Sequence, residues 1–192
     1  MDPRARILAA AARVFAETGY RGATTRRIAQ EASVNEVTLF RHFGSKDELL
    51  REAVAFMAEL SEVPALPDPP VAARMELTAW ARRHLVDLRE RRSMIRTCMG
   101  ELEEHADIIS CASDQPTSVH RELVAYLERL VRGGMASPEL DTAVAAAMLM
   151  GTLFSDAMGR DFMPAAYSFT VEDAAVRYVD LFLRAIGVED GV

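Results

Sequence analysis

The sequence has little of several features that define other classes of protein. It holds only two cysteines in 192 residues, Cys98 and Cys111, so we expect two reduced thiols and no disulfide framework. Its longest apolar run, from Ala143 to about Leu149, is too short to cross a bilayer. The opening residues, MDPRARILAA, lack the long apolar region of a secretory signal. We therefore expect a cytoplasmic protein with no membrane partner.

Motifs of catalysis and of metal binding are also missing. The sequence contains no GxSxG, no glycine-rich phosphate loop, no HExxH and no CxxC, which are the short motifs that indicate such chemistry. Its four histidines, His42, His84, His105 and His120, show no paired spacing for zinc. We expect no metal, no cofactor and no enzymatic activity. A helical enzyme with His84 or His120 as the base is a disfavoured alternative, because the sequence places no nucleophile or orienting acid.

Lysine is almost absent, and the charge is unevenly distributed. The chain has 22 Lys and Arg residues, of which Lys46 is the only lysine, and its net charge is −7. Residues 1–52 are net positive, whereas residues 53–192 carry all of the acidic excess. A DNA-binding protein needs only a local face on which cations prevail. The asymmetry permits such a face at the N-terminus.

The pattern of apolar residues is helical throughout. Apolar positions recur at helical spacing, as in Ile7, Leu8, Ala11, Val14 and Phe15, and no segment alternates like a strand. We predict an all-α fold of about nine helices. Their expected positions are a first helix ended by Gly19, then Thr24–Ala32, Asn35–His42, a fourth begun by Ser45, Val71–Leu88, Ser93–His105, Thr117–Arg132, an eighth begun by Ser137-Pro138, and a ninth from Thr170 to Gly187.

The second and third predicted helices have the spacing of a helix-turn-helix. Five apolar residues form their shared core: Ile28, Ala32, Val34, Leu39 and Phe43. An isolated helix as short as Asn35–His42 would not be stable in water. Packing against the rest of the domain must therefore hold its polar face in position, as it does for the recognition helix of a DNA-binding protein.

Cations at helix N-termini point to an anionic partner. Arg26 and Arg27 fall in the first turn of the second helix, and Lys46 falls in the first turn of the fourth. Each opposes the helix macrodipole at a cost of about 0.3–1 kcal/mol. Free N–H groups flanked by cations suit phosphate. The alternative is that these residues are scattered surface charge.

The block RILAAAARVFAETGYRGATTRRIAQEASVNEVTLFRHFGSKDELL, Arg6 to Leu50, resembles the TetR family of bacterial transcriptional regulators. The resemblance implies a helix-turn-helix DNA-binding domain at residues 1–46. It also implies a helical ligand-binding and dimerisation domain at residues 47–192, where the match is limited to the number and length of helices.

The resemblance implies a role for each matching position. The residues that would hold backbone phosphates are Thr25, Thr38, Arg41, His42 and Lys46. Those that would face base edges in the major groove are Arg26, Glu36 and Val37. Asn35 would do either, and Arg27 completes the DNA-binding set. The chemistry fits, because arginine forks onto guanine, glutamate accepts from cytosine N4 and valine touches a thymine methyl. The sequence departs from the family at Ser33, where glycine is common, at Phe40, where tyrosine is common, and at the acidic Glu36. These departures bear on which operator is read.

The last two predicted helices indicate a dimer. The eighth, ELDTAVAAAMLMGTLFSDAM, is apolar nearly all round, so one side can pack on its own subunit while the other needs a partner. The ninth carries Val176, Val179, Leu183 and Ile186 at heptad-like spacing. Together they would make half of an intermolecular four-helix bundle. A monomeric core is the alternative.

A ligand cavity is expected among the middle helices. Its candidate lining residues are Phe56, Trp80, His84, Ile95, Cys98, Met99, Tyr126, Met148 and Thr152. The alternative is that each of them fills the core.

The function predicted is that of a transcriptional regulator, and of a repressor before an activator, that binds a near-palindromic DNA operator as a homodimer. A small apolar or aromatic ligand would release it. Rival hypotheses are a DNA-binding protein with a packed, ligand-free core and a helical adaptor that binds protein alone.

Overall fold

The computed structural model describes residues 2–61 and 63–188. Within this part of the chain all regular structure is helical, and the all-α prediction is confirmed. The helices are α1 (Pro3–Gly22), α2 (Thr25–Glu31), α3 (Glu36–Phe43), α4 (Lys46–Glu59), α5 (Ala73–Glu90), α6 (Arg92–Glu101), α7 (Ala106–Ile109), α8 (Asp114–Arg132), α9 (Thr142–Gly159) and α10 (Val171–Ala185). Short 3-10 turns lie at Ser110–Ser113 and Pro164–Ala166.

Four helices begin where the sequence predicts, because a short polar side chain caps each of them. Thr24 accepts from the backbone N–H of Arg27 at 3.2 Å, and Asn35 accepts from that of Thr38 at 2.9 Å. Ser45 caps α4 and Thr170 caps α10 in the same way, each at 3.1 Å. Each bond satisfies an N–H group that has no partner inside its own helix.

Three predicted boundaries in the later part of the chain are wrong. The penultimate helix begins at Thr142, after the cap Asp141, and not at Ser137-Pro138. The Asp141 carboxylate accepts from the backbone N–H of Val144 at 3.0 Å, and a negative charge at this end also matches the macrodipole. Helix α6 stops at Glu101, the extra helix α7 follows it, and α8 begins at Asp114 instead of Thr117.

Gly19 kinks α1 instead of ending it. Its φ of 65° lies in the left-handed region, which glycine reaches without steric cost. The chain then resumes for one more turn, to Gly22. A Cβ at Gly19 would stand 2.4 Å from Oε1 of Glu101. The Glu101 side chain would have to move to admit a Cβ, and the positive φ is the stronger reason for glycine at this position.

The chain forms two compact units. The first comprises Met1–Ser61 and Arg91–Pro116, and it contains α1 to α4 together with α6 and α7. Its core joins Ile7, Phe15, Leu39 and Leu50 to Cys98 of α6. The packing unit thus extends well beyond residue 46. The functional division at residue 46 stays a prediction.

The second unit comprises Glu62–Glu90 and Thr117–Val192. It contains α5, most of α8, α9 and α10, with α5 packed against both α9 and α10. Large apolar side chains fill its interior, among them Leu77, Leu85, Leu123, Leu149 and Leu153.

Candidate nucleic-acid interface

A tight turn joins α2 to α3 and fixes the helix-turn-helix. The backbone N–H of Val34 donates to the carbonyl of Ala29 at 2.9 Å, and that of Ser33 donates to Gln30 at 3.1 Å. Ser33 has a φ of 53°, a conformation that costs a residue with a Cβ about 1–2 kcal/mol. Serine at this position therefore carries backbone strain that glycine would avoid. The turn keeps Ile28 and Ala29 of α2 packed in the same core as α3.

The outer face of α3 is exposed while its inner face is buried. Leu39 and Phe43 lie in the core of the first unit. Val37 is 75% exposed and Phe40 is 48% exposed, and the side chains of Arg41 and His42 also face solvent. The predicted reading face is thus held in position by packing on its opposite side.

Asn35 and Thr38 are bonded to each other at the start of this helix. Oδ1 of Asn35 accepts from both the backbone N–H and the hydroxyl of Thr38, each at 2.9 Å. The amide nitrogen of Asn35 remains as a donor. Capping therefore uses the oxygen of Asn35 and leaves its nitrogen for an external acceptor.

Thr25 and Glu36 are also in contact, across the two helices. The hydroxyl of Thr25 donates to Oε2 of Glu36 at 2.7 Å. Thr25 is the first residue of α2 and Glu36 is the first residue of α3. The sequence places both in the DNA-binding set but gives no indication that they are bonded.

The arginines of the set differ in their local partners. Arg27 pairs with Glu17 at 3.2 Å, whereas Arg26 and Arg41 are exposed and pair with no acidic residue in the part of the chain that the structure describes. Guanidinium groups without a local counter-ion are available to an external anion or a base edge.

Lys46 is held against Tyr20. Its Nζ lies 3.9 Å from the centre of the Tyr20 ring and donates to the Tyr20 carbonyl at 2.5 Å. Burial lowers the pKa of Lys46, and the nearby carboxylates of Asp47 and Glu101 oppose that change. The predicted phosphate ligand thus has an internal partner in this conformation, and its phosphate role stays a prediction.

Tyr20 organises a cluster that sequence analysis missed. Its hydroxyl donates to Asp47 at 2.6 Å, and this bond raises the pKa of Tyr20. Its ring stacks on that of His105 at 3.7 Å, and its backbone N–H donates to Glu101 at 2.9 Å. An aromatic residue directly after a glycine is a weak signal, because the partners Glu101 and His105 lie far away in the sequence.

The predicted ligand-site residues are divided between the two units. Phe56, Ile95, Cys98 and Met99 belong to the first unit, where Cys98 is buried in the core and Met99 is 60% exposed. Trp80, His84, Tyr126, Met148 and Thr152 belong to the second. The side chain of Cys111 lies outside the described part, so the expectation of two reduced thiols stays a prediction for Cys111.

In the second unit the structure brings Trp80 and His84 together. Their rings stack 5.1 Å apart with an interplanar angle of 15°. Trp80 is only 2% exposed, and its indole N–H finds no hydrogen-bond acceptor among the described residues. Buried polar groups in folded proteins are almost always paired. This orphaned donor is therefore a candidate contact for a bound molecule or a buried water.

Tyr126 is bonded to a residue that sequence analysis did not single out. Its buried hydroxyl donates to Oε2 of Glu76 at 2.6 Å, and burial followed by this bond raises the pKa of Tyr126. Burial by itself would raise the pKa of Glu76, but its bonds from Tyr126, Ala72 and Val71 lower it overall. Tyr126 thus links α8 to the start of α5.

Met148 and Thr152, by contrast, do not point into the interior of their unit. Met148 is 63% exposed, and Thr152 is exposed beside it. The opposite face of α9 is the buried one and contains Ala145, Leu149 and Leu153. A helix that is apolar on all sides does not show in sequence which side packs inward, so the pocket prediction placed these two residues in the interior.

The apolar outer face of α9 is left uncovered in the isolated chain. Val144 is 53% exposed and lies one turn from Met148. By length and composition alone α9 is long and apolar enough to cross a membrane, and 33% of it is buried within the protein. In the predicted dimer stripe, Val179 and Leu183 of α10 and the C-cap residue Ile186 are buried within the unit, whereas Val176 is 37% exposed. Most of that stripe therefore belongs to the subunit's own core.

The described residues contain no group of three His, Cys, Asp or Glu side chains that could hold a metal ion. The first unit presents a short helix, α3, with an exposed outer face, and a supporting helix, α2, that buries Ile28 and Ala29. Beside them lie Arg26 and Arg41, which have no acidic partner among the described residues. Fold and site together define a helix-turn-helix DNA-binding protein.

Comparison with known proteins identifies the family. Residues 7–53 match the model of bacterial regulatory proteins of the tetR family. The HTH-type transcriptional regulator YvkB of Bacillus subtilis is 30% identical over 130 residues, which are 68% of this chain and 68% of YvkB. The chain belongs to the TetR family of transcriptional regulators, whose members are regulators and not enzymes.

Two further similarities bear on function. The transcriptional repressor AcnR of Corynebacterium efficiens is 43% identical over 63 residues, 31% of this chain and 34% of AcnR. The fold matches the transcriptional regulator FadR of Bacillus subtilis, solved in complex with stearoyl-CoA, with a TM-score of 0.72. That match covers 94% of this chain and 98% of FadR at 19% identity, so it concerns the fold alone.

Proposed function

We propose that this protein is a cytoplasmic, ligand-responsive repressor that binds a near-palindromic operator as a homodimer. The observation that carries the proposal is the exposed face of α3 beside Arg26 and Arg41, which have no acidic partner among the described residues. In a homodimer two such faces would stand about 34–36 Å apart, one helical turn of DNA. The partial match to the repressor AcnR supports repression over activation.

Sequence readout would come from three side chains. Arg26 would fork onto guanine, Glu36 would accept from a cytosine amino group and Val37 would touch a thymine methyl. Backbone phosphates would be held by Thr38, Arg41, His42 and Lys46. Of these, Thr38 must first release its hydroxyl from Asn35, and Lys46 must leave Tyr20. Thr25, Arg27 and Asn35 flank these groups in the same set. Replacing a base-reading residue should therefore change sequence preference, whereas replacing a phosphate-binding residue should change affinity for every duplex.

The dimer would form through the outer face of α9. Val144 and Met148 are exposed apolar side chains on this face, and large exposed apolar surfaces usually mark interaction sites. Val176 of α10 would contribute beside them. A two-fold axis through this surface brings the same residues of both subunits together.

The ligand would bind in the second unit beside Trp80 and His84. The orphaned indole N–H of Trp80 offers a donor to one acceptor atom, within apolar surroundings that suit an aliphatic or aromatic body. The stearoyl-CoA complex of FadR makes long acyl chains a natural first class to test. Release of DNA requires that the ligand bind the DNA-incompetent conformer more tightly than the competent one.

Selection of bound sites from random duplexes tests the DNA proposal directly. We expect an enriched site with two-fold symmetry. Affinity should fall steeply with salt, with a slope of about −5 in log K against log salt if each subunit contributes about three cations. Arg26→Ala should relax preference at one base position, whereas Arg41→Ala should weaken all duplexes alike. Arg121→Ala, which removes an exposed arginine of α8, is the matched control and should leave binding unchanged.

Intrinsic fluorescence offers a test of the ligand proposal, because Trp80 is the only tryptophan. Stearoyl-CoA, free fatty acids and aromatic acids can be titrated, with coenzyme A as the control for the polar group. A binder should change the emission of Trp80, raise the melting temperature and reduce operator affinity. If no member of the panel does so, a DNA-binding protein with a packed, ligand-free core becomes the better description.

A further inference from the structure

The contact between Thr25 and Glu36 suggests that one residue of the recognition surface acts through another. Their oxygen atoms are 2.7 Å apart, which is a normal length for a hydroxyl bonded to a carboxylate. Both side chains are half-buried. The bond connects the first residue of α2 to the first residue of α3, so it spans the two halves of the helix-turn-helix.

A threonine hydroxyl has one proton to donate. While that proton is bonded to Glu36, the hydroxyl cannot also donate it to a DNA phosphate. The carboxylate of Glu36 is acceptor-only and has two oxygens, of which Oε2 is bonded to Thr25. Oε1 remains to accept from a base.

The bond also fixes the position of an acidic side chain, Glu36, on the proposed DNA-binding face. A mobile anion on a DNA-binding face is repelled by phosphate, and a glutamate loses considerable rotamer freedom when it is ordered. A carboxylate that is already fixed loses less conformational entropy when it binds DNA, as any preorganised group does. Fixing Glu36 therefore favours the one contact in which an anion is useful, the amino group of cytosine.

We propose that Thr25 is a positioning residue for Glu36, which it aims at one base pair, and is not a phosphate ligand. The proposal rests on the proposed DNA-binding function and deepens it. It assigns sequence discrimination at one position to a pair of side chains on different helices.

Thr25→Val is the test, because valine keeps the shape of threonine and lacks the hydroxyl. Affinities are measured for the selected operator, for a duplex changed only at the pair that Glu36→Ala identifies, and for a scrambled duplex. Thr25→Val should reduce discrimination at that pair about fivefold to tenfold, in the range of a single base contact. Its affinity for the scrambled duplex should stay within about twofold of the original.

Two further variants complete the design. Thr25→Ser keeps the hydroxyl and should restore discrimination. In a Glu36→Ala background, Thr25→Val should cause no additional loss, because the group that it positions is gone. The melting temperature of each variant verifies that it is folded.

The possible failures are distinguishable. A uniform loss of affinity for all three duplexes would identify Thr25 as a phosphate ligand and overturn the proposal. Unchanged discrimination in the valine variant would overturn it as well. Absence of binding to every duplex by the unmodified protein at low salt would instead refute the proposed function.

Discussion

Asp156→Ala should lower the free energy of unfolding by about 3–5 kcal/mol, the range for removing one partner of a buried ion pair. Asp156 is fully buried in α9. Its carboxylate accepts from Nε of Arg160 at 2.9 Å and from Nη2 of the same residue at 2.6 Å. The hydroxyl of Tyr178 on α10 donates to it at 2.7 Å. Alanine would leave a nearly buried guanidinium without its counter-ion.

The cost should be large because Arg160 organises the connection between α9 and α10. Its guanidinium donates to the carbonyls of Tyr167 and Phe169 and lies 5.1 Å from the centre of each ring. Burial, followed by the bond to Asp156, raises the pKa of Tyr178. The Asp156 carboxylate therefore joins α9 to α10 through Tyr178, and it holds Arg160, which bonds the segment between the two helices.

Urea or thermal unfolding at a fixed protein concentration measures the effect. For a chain of this length the loss corresponds to a fall of about 10 °C in the melting temperature. Asp161→Ala is the matched control, because the Asp161 side chain is 49% exposed and its contact with Arg89 is long, at 3.8 Å. Ion pairs open to solvent contribute about 0–1 kcal/mol. If both variants cost the same small amount, the buried cluster does not stabilise the unit. Asp156→Ala combined with Arg160→Ala should cost less than the sum of the single changes.

Met148→Glu should convert the proposed dimer to a monomer and reduce operator affinity by about 100-fold or more, the factor that linked binding sites typically add. Met148 is 63% exposed on α9, so the substitution should not disturb the fold of the single chain. In a two-fold interface each subunit would contribute a carboxylate, and burying charges without partners is costly. Analytical ultracentrifugation and operator titration measure the two effects.

Met75→Glu provides the matched control for this experiment. Met75 is a methionine of the same unit, 71% exposed on α5, and its replacement changes charge and size identically. We expect Met75→Glu to remain a dimer with unchanged operator affinity. A dimer that survives Met148→Glu would refute the proposed α9 interface, and dissociation by Met75→Glu alone would move the interface to α5.

The helix-turn-helix was predictable because its signals are local. Thr24, Asn35 and Ser45 each cap a helix that begins at the next residue, so adjacent residues suffice to mark these boundaries. The same local signals failed at Ser137-Pro138. There a serine followed by proline has the sequence pattern of a helix start, but the charged Asp141 supplies the cap four residues later.

Contacts between distant residues could not be predicted in the same way. Lys46 could be recognised as a cation at a helix N-terminus, but its partner Tyr20 lies 26 positions earlier. Met148 was recognised as apolar, but whether it faces the core or solvent depends on how α9 packs against α5. Helical periodicity identifies an apolar face, and it does not specify a direction when every face is apolar.

By itself the sequence determined the helical class, the helix-turn-helix and the set of polar residues on its surface, because caps, glycines and apolar spacing act over a few residues. Only the tertiary structure decided that Thr25 bonds Glu36, that Lys46 rests on Tyr20 and that Asp156 is buried with Arg160. An unpaired donor or acceptor of a side chain bonds to whichever group folding brings within about 3 Å of it. That distance is set by how the helices pack.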